Sequence, residues 1–413
     1  MLRQEFTTRS LLRITTKNEI IKFGLGRDKE EYKVCLENFS NIINDPSFKI
    51  KNIQKTKIKN KIVFFTDSPE EHYCIKKISS DIKRLYKIKT INRDDISEQV
   101  LRILETSSDY GVIRVDIKSF YESINYPDIL EKIKTDKLLT SKSIDFLDNL
   151  QYLKVKGLPR GLSISPVLSE IFMRDIDLKI REIPGVYYYS RYVDDIFILT
   201  SKEYSIIQDK LKVILNKYNL STNNKTFVNN IPIAPNNSNF DVNFDYLGYK
   251  YNITSKCYNK KRIVNVTLSD DKIRKIKTRI IHSLLNRALT KGATSYHKSL
   301  LEQRINILSG NYPISSSKGR NGTLKGGIFY SNRLVNKSGV FEEFNDFLKK
   351  SLYCKRNNFF GRAMRRISPT EKKILSNICF KEGFVKKKYI SVSDKEMKII
   401  KQCWEHKNHK KKS

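Results

Sequence analysis

The chain has no apolar run near the length of a membrane span, and its N-terminus, MLRQEFTTRS, has no signal-peptide h-region. These two lacks argue against a membrane helix and a secretory route, so the expectation is a cytoplasmic protein with no membrane partner. Cysteine is sparse. Cys35, Cys74, Cys257, Cys354, Cys379 and Cys403 are scattered without a CxxC pair, which fits free thiols in a reducing compartment rather than a disulfide framework. Cys403, His406 and His409 lack a fourth zinc ligand, so that end reads as an exposed basic tail. Acids are few as well: 44 Asp and Glu stand against 79 Lys and Arg, a formal net charge of +35. A bias toward Lys, Ile and Asn explains abundant lysine but does not require so few acids. Basic residues along nearly the whole chain point to a large polyanion, nucleic acid before an anionic membrane.

What is present suits a globular chain of two or three modest domains, since 413 residues with 39% hydrophobic content can bury a core. No internal repeat is visible. Residues 1–60 read as a basic helical extension, and KIVFFT (61–66) as a buried strand. GVIRVDIKSFY (111–121) begins as a strand, alternating Val112, Arg114 and Asp116 against Ile113, Val115 and Ile117. GLPRGLSISP (157–166) is loop chemistry that ends in an N-cap candidate, Ser165, and a first-turn Pro166. The helix after it carries Leu168, Phe172, Ile176 and Ile180 at i+4 spacing. Residues 206–219 are amphipathic. A long helix is expected from the N-cap candidate Ser269 to about Leu289, with Ile273, Ile276, Ile280 and Leu284 facing one way and Lys272, Lys275, Lys277 and Arg279 on other faces. Past 308 a Gly- and Ser-rich loop or hairpin precedes a second helical section at 341–383.

YYYSRYVDDIFILT (187–200) poses the chemical question. Asp194 and Asp195 interrupt good strand formers, and paired like charges in a tight place are costly unless a cation joins them. A lone Asp-Asp pair usually marks a turn or a helix start, but these flanks are poor turn sequence. If the two half-strands form a hairpin antiparallel to the strand that ends at Asp116, three carboxylates meet at one sheet edge. Such a group suits a hard cation such as Mg²⁺. Two ions there can activate an attacking hydroxyl and stabilise the phosphorus centre and leaving pyrophosphate.

With these residues in view, the sequence resembles the reverse transcriptases of the right-hand polymerase fold. VDIKSFYESI resembles the family's first aspartate motif, GLPRGLSISP its template- and nucleotide-supporting loop, and YVDD its [YF]xDD hairpin. NNKTFVNN resembles the lysine motif and FDYLGYKY the primer-grip hairpin. All stand in the family's order over about residues 60–255. The resemblance implies an α+β fold: fingers and palm with an antiparallel palm sheet, then an α-helical thumb-like domain. The corresponding divisions are 1–60, 61–255, 256–400 and a basic tail at 401–413.

By the same resemblance, Asp116 and Asp194 are the principal metal ligands, with Asp195 in support, for two Mg²⁺ ions or their Mn²⁺ equivalents. Lys225 serves the leaving pyrophosphate. Arg93 contacts the triphosphate, with Lys83, Arg84, Lys87 and Lys89 as competitors for that role. Tyr121 is the aromatic gate against a ribose 2′-hydroxyl; of Phe120 and Tyr121, one is core. Gly161 lets backbone approach the nucleotide or template, and Tyr246, Leu247 and Gly248 form the primer grip. Arg160 departs from the usual LPQG, adding a positive charge near the incoming base and sugar and putting the ordinary pattern of nucleotide selection in question. No ribonuclease H, integrase or HNH segment is present.

The finer resemblance is to bacterial Abi-like, unknown-group or defence-associated reverse transcriptases. It is carried by TINRDDISEQV, VIRVDIKSFYESI, LPRGLSIS, PGVYYYSRYVDD and SGNYPI with GGIFYSN. It implies an RNA-directed DNA polymerase of antiphage defence with dNTPs, an RNA template (including a structured noncoding RNA) and a DNA product; an oligomer or partner protein stays open. The alternatives are a template-independent or repeat-making, protein-primed synthase, a retron- or intron-type enzyme, and a catalytically silent RNA-binding scaffold.

Overall fold

The computed structural model describes residues 3–58, 61–89, 91–201, 203–223, 226–235, 240–290, 292, 294–319 and 322–405. The chain forms two compact units, residues 1–96 with 108–233 and residues 97–107 with 234–413. The divisions expected at 60, 255 and 400 do not coincide with these cuts.

In the first unit, helices Thr8–Ile14, Lys17–Phe23 and Lys29–Asn44 precede a hairpin of β1 (Gln54–Ile58) and β2 (Lys61–Phe65). Two expectations fail here. Residues 54–58 are a strand rather than helix, and β2 is not buried: only Phe64 is, while Ile62 is 53% exposed. The reason is the partner strand. QKTKI is exposed along its whole length, so the ribbon has no second apolar face to cover β2.

The centre of the unit is an antiparallel sheet of β3 (Tyr110–Asp116), β4 (Val186–Tyr192), β5 (Asp195–Thr200) and β6 (Phe227–Ile231), in the order β4-β5-β3-β6. Central strands are covered on both faces and therefore read as near-continuous apolar runs; Ile196, Phe197, Ile198 and Leu199 of β5 are fully buried. Helix Ser165–Arg181 packs against β4, and helix Tyr204–Lys217 against β3 and β6. One apolar cluster runs from Phe6 to Leu220, so the N-terminal helices share the core of the sheet. Ser165 is the first helical residue rather than the N-cap, and its hydroxyl donates to the Pro159 carbonyl at 2.6 Å.

The second unit holds the antiparallel sheet β7 (Asp241–Tyr246), β8 (Tyr249–Tyr258) and β9 (Lys261–Leu268). Arg262 is 2% exposed, and its guanidinium donates to the carbonyls of Thr106, Ser107 and Thr254; this ties residues 97–107 to β9. The long helix falls at Asp270–Leu289, and helix Ser295–Ser309 packs on it. The hairpin of β10 (Asn311–Gly319) and β11 (Gly322–Gly327) follows. The rest is helical, with Phe341 stacked on Phe384 at 4.2 Å between helices Gly339–Leu352 and Phe380–Val385. Among the described residues, no helix is long and apolar enough to cross a membrane.

Candidate active site

Strand register brings the acids together. Asp116 ends β3 and lies opposite Asp195, the first residue of β5. The turn between β4 and β5 consists of Val193 and Asp194. Ile117 N–H donates to the Asp194 carbonyl at 3.0 Å, so the two strand ends are joined by backbone at the carboxylates. Asn223 N–H donates to the Asp116 carbonyl at 2.9 Å, which brings the chain before β6 to the same edge.

Val193 has a left-handed φ of 60°. A β-branched residue is strained there, and two-residue hairpin turns with this geometry normally use glycine. Arg191 holds the turn. Its side chain is 6% exposed, and all five of its N–H donors are engaged. One goes to the Val193 carbonyl at 2.9 Å, two to Glu170 at 3.1 and 2.8 Å, and two to Asp177 at 2.9 Å each. Burial works against the charge, but the bonds to Asp177 and Glu170 more than offset it and raise the arginine pKa above its ordinary value. Glu170 and Asp177 are seven residues apart on one face of helix Ser165–Arg181, so that helix is the anvil for the aspartate turn.

The three carboxylates differ. Arg114 clasps Asp195 with two bonds of 3.0 Å. Burial raises the pKa of Asp195, Arg114 opposes this, and the charges of Asp116 and Asp194 add to the rise. Asp194 is also raised, first by burial and then by Asp116; the cations acting most on it are Lys61 of β2 and Arg160. With Asp195 engaged by Arg114, the remaining pair at the edge is Asp116 and Asp194, whose charges repel. Among the described residues no group of three or more His, Cys, Asp or Glu is arranged to hold a metal ion by itself. Two all-oxygen ligands nevertheless fit Mg²⁺, which is held through one or two carboxylates with water and substrate phosphates filling the remaining positions.

Loop 157–161 packs against Tyr121, Glu122 and Phe64. The Arg160 carbonyl accepts from Phe64 N–H at 2.7 Å, mooring the β1–β2 hairpin. Gly161, at φ 103°, permits this: a Cβ would lie 2.4 Å from the Phe64 carbonyl oxygen. Its conformational freedom therefore serves protein backbone first. The Arg160 guanidinium lies 4.9 Å from the Tyr121 ring centre and pairs with Glu122 at 3.2 Å. Tyr121 is half-buried, while Phe120 is 2% exposed and is the core member of the pair. Burial raises the Tyr121 pKa, with a hydrogen bond to Ser169 and the field of Arg160 opposing, and Asp194 and Glu170 adding to it. The tyrosine thus stands within the field of Asp194 and Glu170.

Lys225 lies outside the described residues. Arg93 opens helix Arg93–Leu104 and is half-buried. Tyr246, Leu247 and Gly248 belong to the second unit, where Leu247 (φ 46°) and Gly248 (φ 78°) make a tight turn between β7 and β8 and Tyr246 is fully buried. Sequence reasoning missed Arg114, Arg191, Lys61 and Glu122 as parts of this site. Arg114 is two residues before Asp116 on the same strand face, and Arg191 three before Asp194; proximity to the motifs was the available signal.

An antiparallel palm sheet with acids at the β3 end and the β4–β5 turn defines a nucleotidyltransferase-type polymerase palm. The family model for reverse transcriptase (RNA-dependent DNA polymerase) matches residues 33–251, and the chain belongs to that family. Among solved structures it is similar to apo telomerase from Candida tropicalis truncated from its C-terminal domain, at 13% identity and a TM-score of 0.35. That alignment covers 55% of this chain and 56% of the telomerase chain. No curated protein matches.

Proposed function

We propose that this protein is an RNA-directed DNA polymerase of a bacterial antiphage defence system, templated by a noncoding RNA. The observation that carries the chemistry is the register of Asp116 against Asp195, with Asp194 on a strained turn beside them. In the reaction a 3′-hydroxyl oxygen bonds to the α-phosphorus of a dNTP, and the α–β anhydride bond breaks to release pyrophosphate. Asp116 and Asp194 would hold the divalent ions, which would supply activation of the hydroxyl and stabilisation of the phosphoryl charge. Arg114 keeps Asp195 turned to its own guanidinium as a supporting charge. Lys61 and Arg160 supply positive potential for a triphosphate, and Tyr121, backed by Arg160, serves as the sugar gate. Lys225 fits the role of supporting the leaving pyrophosphate.

The +35 charge supports a nucleic-acid partner whose affinity falls steeply with salt. The defence role rests on the resemblance of the quoted motifs. The test is synthesis by purified protein given Mg²⁺ or Mn²⁺, all four dNTPs and its co-purifying RNA, followed by sequencing of the DNA. A product complementary to that RNA supports the reading. The same product after RNA removal would move the assignment to template-independent or repeat synthesis, and no DNA at all to a silent scaffold. Phage plating on cells carrying wild type or Asp194→Asn tests defence: equal plating would sink that part alone.

A further inference from the structure

The second unit contains a cavity of about 270 Å³ that the polymerase reading does not use. Its wall includes Lys272, Lys275, Arg279 and Lys401, with no carboxylate among the lining residues. The first three lie at i, i+3 and i+7 of helix Asp270–Leu289, one face of the helix. A cationic helix face is commonly just solvated, but here it is roofed by aromatic rings and by the chain after β11.

Trp404 and Tyr312 line the same space. The Trp404 indole is pinned by a 2.8 Å bond from Nε1 to Ser283 Oγ, with the Arg279 guanidinium 5.4 Å from its ring centre. Lys401 Nζ lies 5.9 Å from the Tyr312 ring, and Lys272 Nζ donates to the Ser331 carbonyl at 2.9 Å. Asn332, 3% exposed, is in the wall; its Nδ2 donates to the Ile328 carbonyl at 2.7 Å, while its Oδ1 has no hydrogen-bond partner. A wall that holds four cations and no carboxylate, two ring faces and one unmet acceptor are the complement of an anion that carries a flat ring and a donor group.

We infer that this cavity binds a nucleoside phosphate: the phosphate among Lys272, Lys275, Arg279 and Lys401, the base against Trp404 or Tyr312. Arginine and lysine supply charge-assisted bonds to phosphate, and stacking on aromatic side chains accepts any base. The volume is near the lower end of ordinary ligand sites and suits one nucleotide rather than a duplex. The nucleotide is either free or part of a single strand.

Trp404 is the sole tryptophan of the chain, so its fluorescence reports this cavity directly. The full-length protein is titrated with inorganic phosphate, with adenosine monophosphate and with a five-nucleotide single-stranded RNA. A saturable change is expected with a nucleoside phosphate. Saturation by the monophosphate identifies a free-nucleotide site, and saturation by the oligonucleotide alone identifies a strand site. Arg279→Gln should raise the half-saturating concentration about tenfold or more, with Lys401→Gln as the second variant should the first fail to fold. Asp194→Asn should leave the titration unchanged, which keeps this result separate from the fate of the polymerase reading. No saturable change, equal response to inorganic phosphate, or unaltered binding in both charge variants overturns the assignment.

Discussion

Two carboxylate sites in the first unit stand in contrast. Glu19 is 7% exposed and fully answered. It accepts from Thr16 N–H at 2.7 Å and the Thr16 hydroxyl at 2.9 Å, sits 2.7 Å from His72 Nε2, and pairs with Lys76. Burial opposes its charge, yet the bonds from His72, Lys76 and Thr16 hold its pKa at about 2. Asp194 is also partly buried, but its carboxyl is pushed up, by burial and then by Asp116. One site carries its counter-charges within the chain. The other is assembled against its own electrostatics, in a protein with basic residues to spare. An arrangement that costs stability and persists is expected where something outside the chain completes it.

The comparison breaks most sharply at Asp194 itself. On the proposed reading Asp194→Asn removes a metal ligand while preserving shape, so DNA synthesis should fall at least about 1000-fold with RNA affinity nearly unchanged. Parallel primer-extension and filter-binding assays check this; loss of RNA binding in a folded variant would contradict the ligand role. Next in size is Arg191→Gln. It strands Glu170 and Asp177 and frees the strained Val193 turn, so unfolding stability should drop by about 3 kcal/mol and synthesis by roughly 100-fold. A purely structural arginine would lower the melting temperature but leave turnover below it intact, so the two readouts separate the roles. Glu19→Gln should be milder and of one kind: about 1–2 kcal/mol of stability, read by urea unfolding, with specific activity retained. The Glu19 carboxylate contributes stability above the ordinary glutamate range, lost as pH falls through about 2, so the variant should also flatten the acid limb of the stability curve.

Much of this site was legible because strand periodicity and turn chemistry are local. Alternation in GVIRVD and the apolar flanks of the double aspartate were enough to expect β3, β4 and β5, and an antiparallel arrangement then places Asp116 beside the pair. The arginines were not legible. Among 79 basic residues, nothing local separates Arg114 or Arg191 from a surface charge; what separates them is cross-strand register and a helix reached through a loop. Ser165 failed as a cap for a similar reason, since a tertiary acceptor, the Pro159 carbonyl, took its hydroxyl. The β1–β2 ribbon was misjudged because burial depends on a partner face, and β1 offers none. Gly161 showed its positive φ only through the approach of Phe64.

The smallest expected effect is the most direct probe of the contrast. In the metal-free protein the fold raises the pKa values of Asp194 and Asp195 above their unfolded ones. Groups shifted in that direction contribute stability below the unfolded carboxylate pKa, and the contribution disappears as pH rises through the folded value. This is the opposite sign to Glu19. At neutral pH without divalent ions, Asp194→Asn should therefore melt about 2 °C above wild type, the gap closing as pH falls and the wild-type carboxyl takes up its proton. On the proposed reading Mg²⁺ binds the folded state, so it should raise the wild-type melting temperature more than that of the variant. Thermal melts at two pH values, with EDTA or Mg²⁺, measure all four corners. Identical melting temperatures at every corner would mean that the aspartate edge is no more strained than Glu19, and the case for an external counter-charge would fall with it.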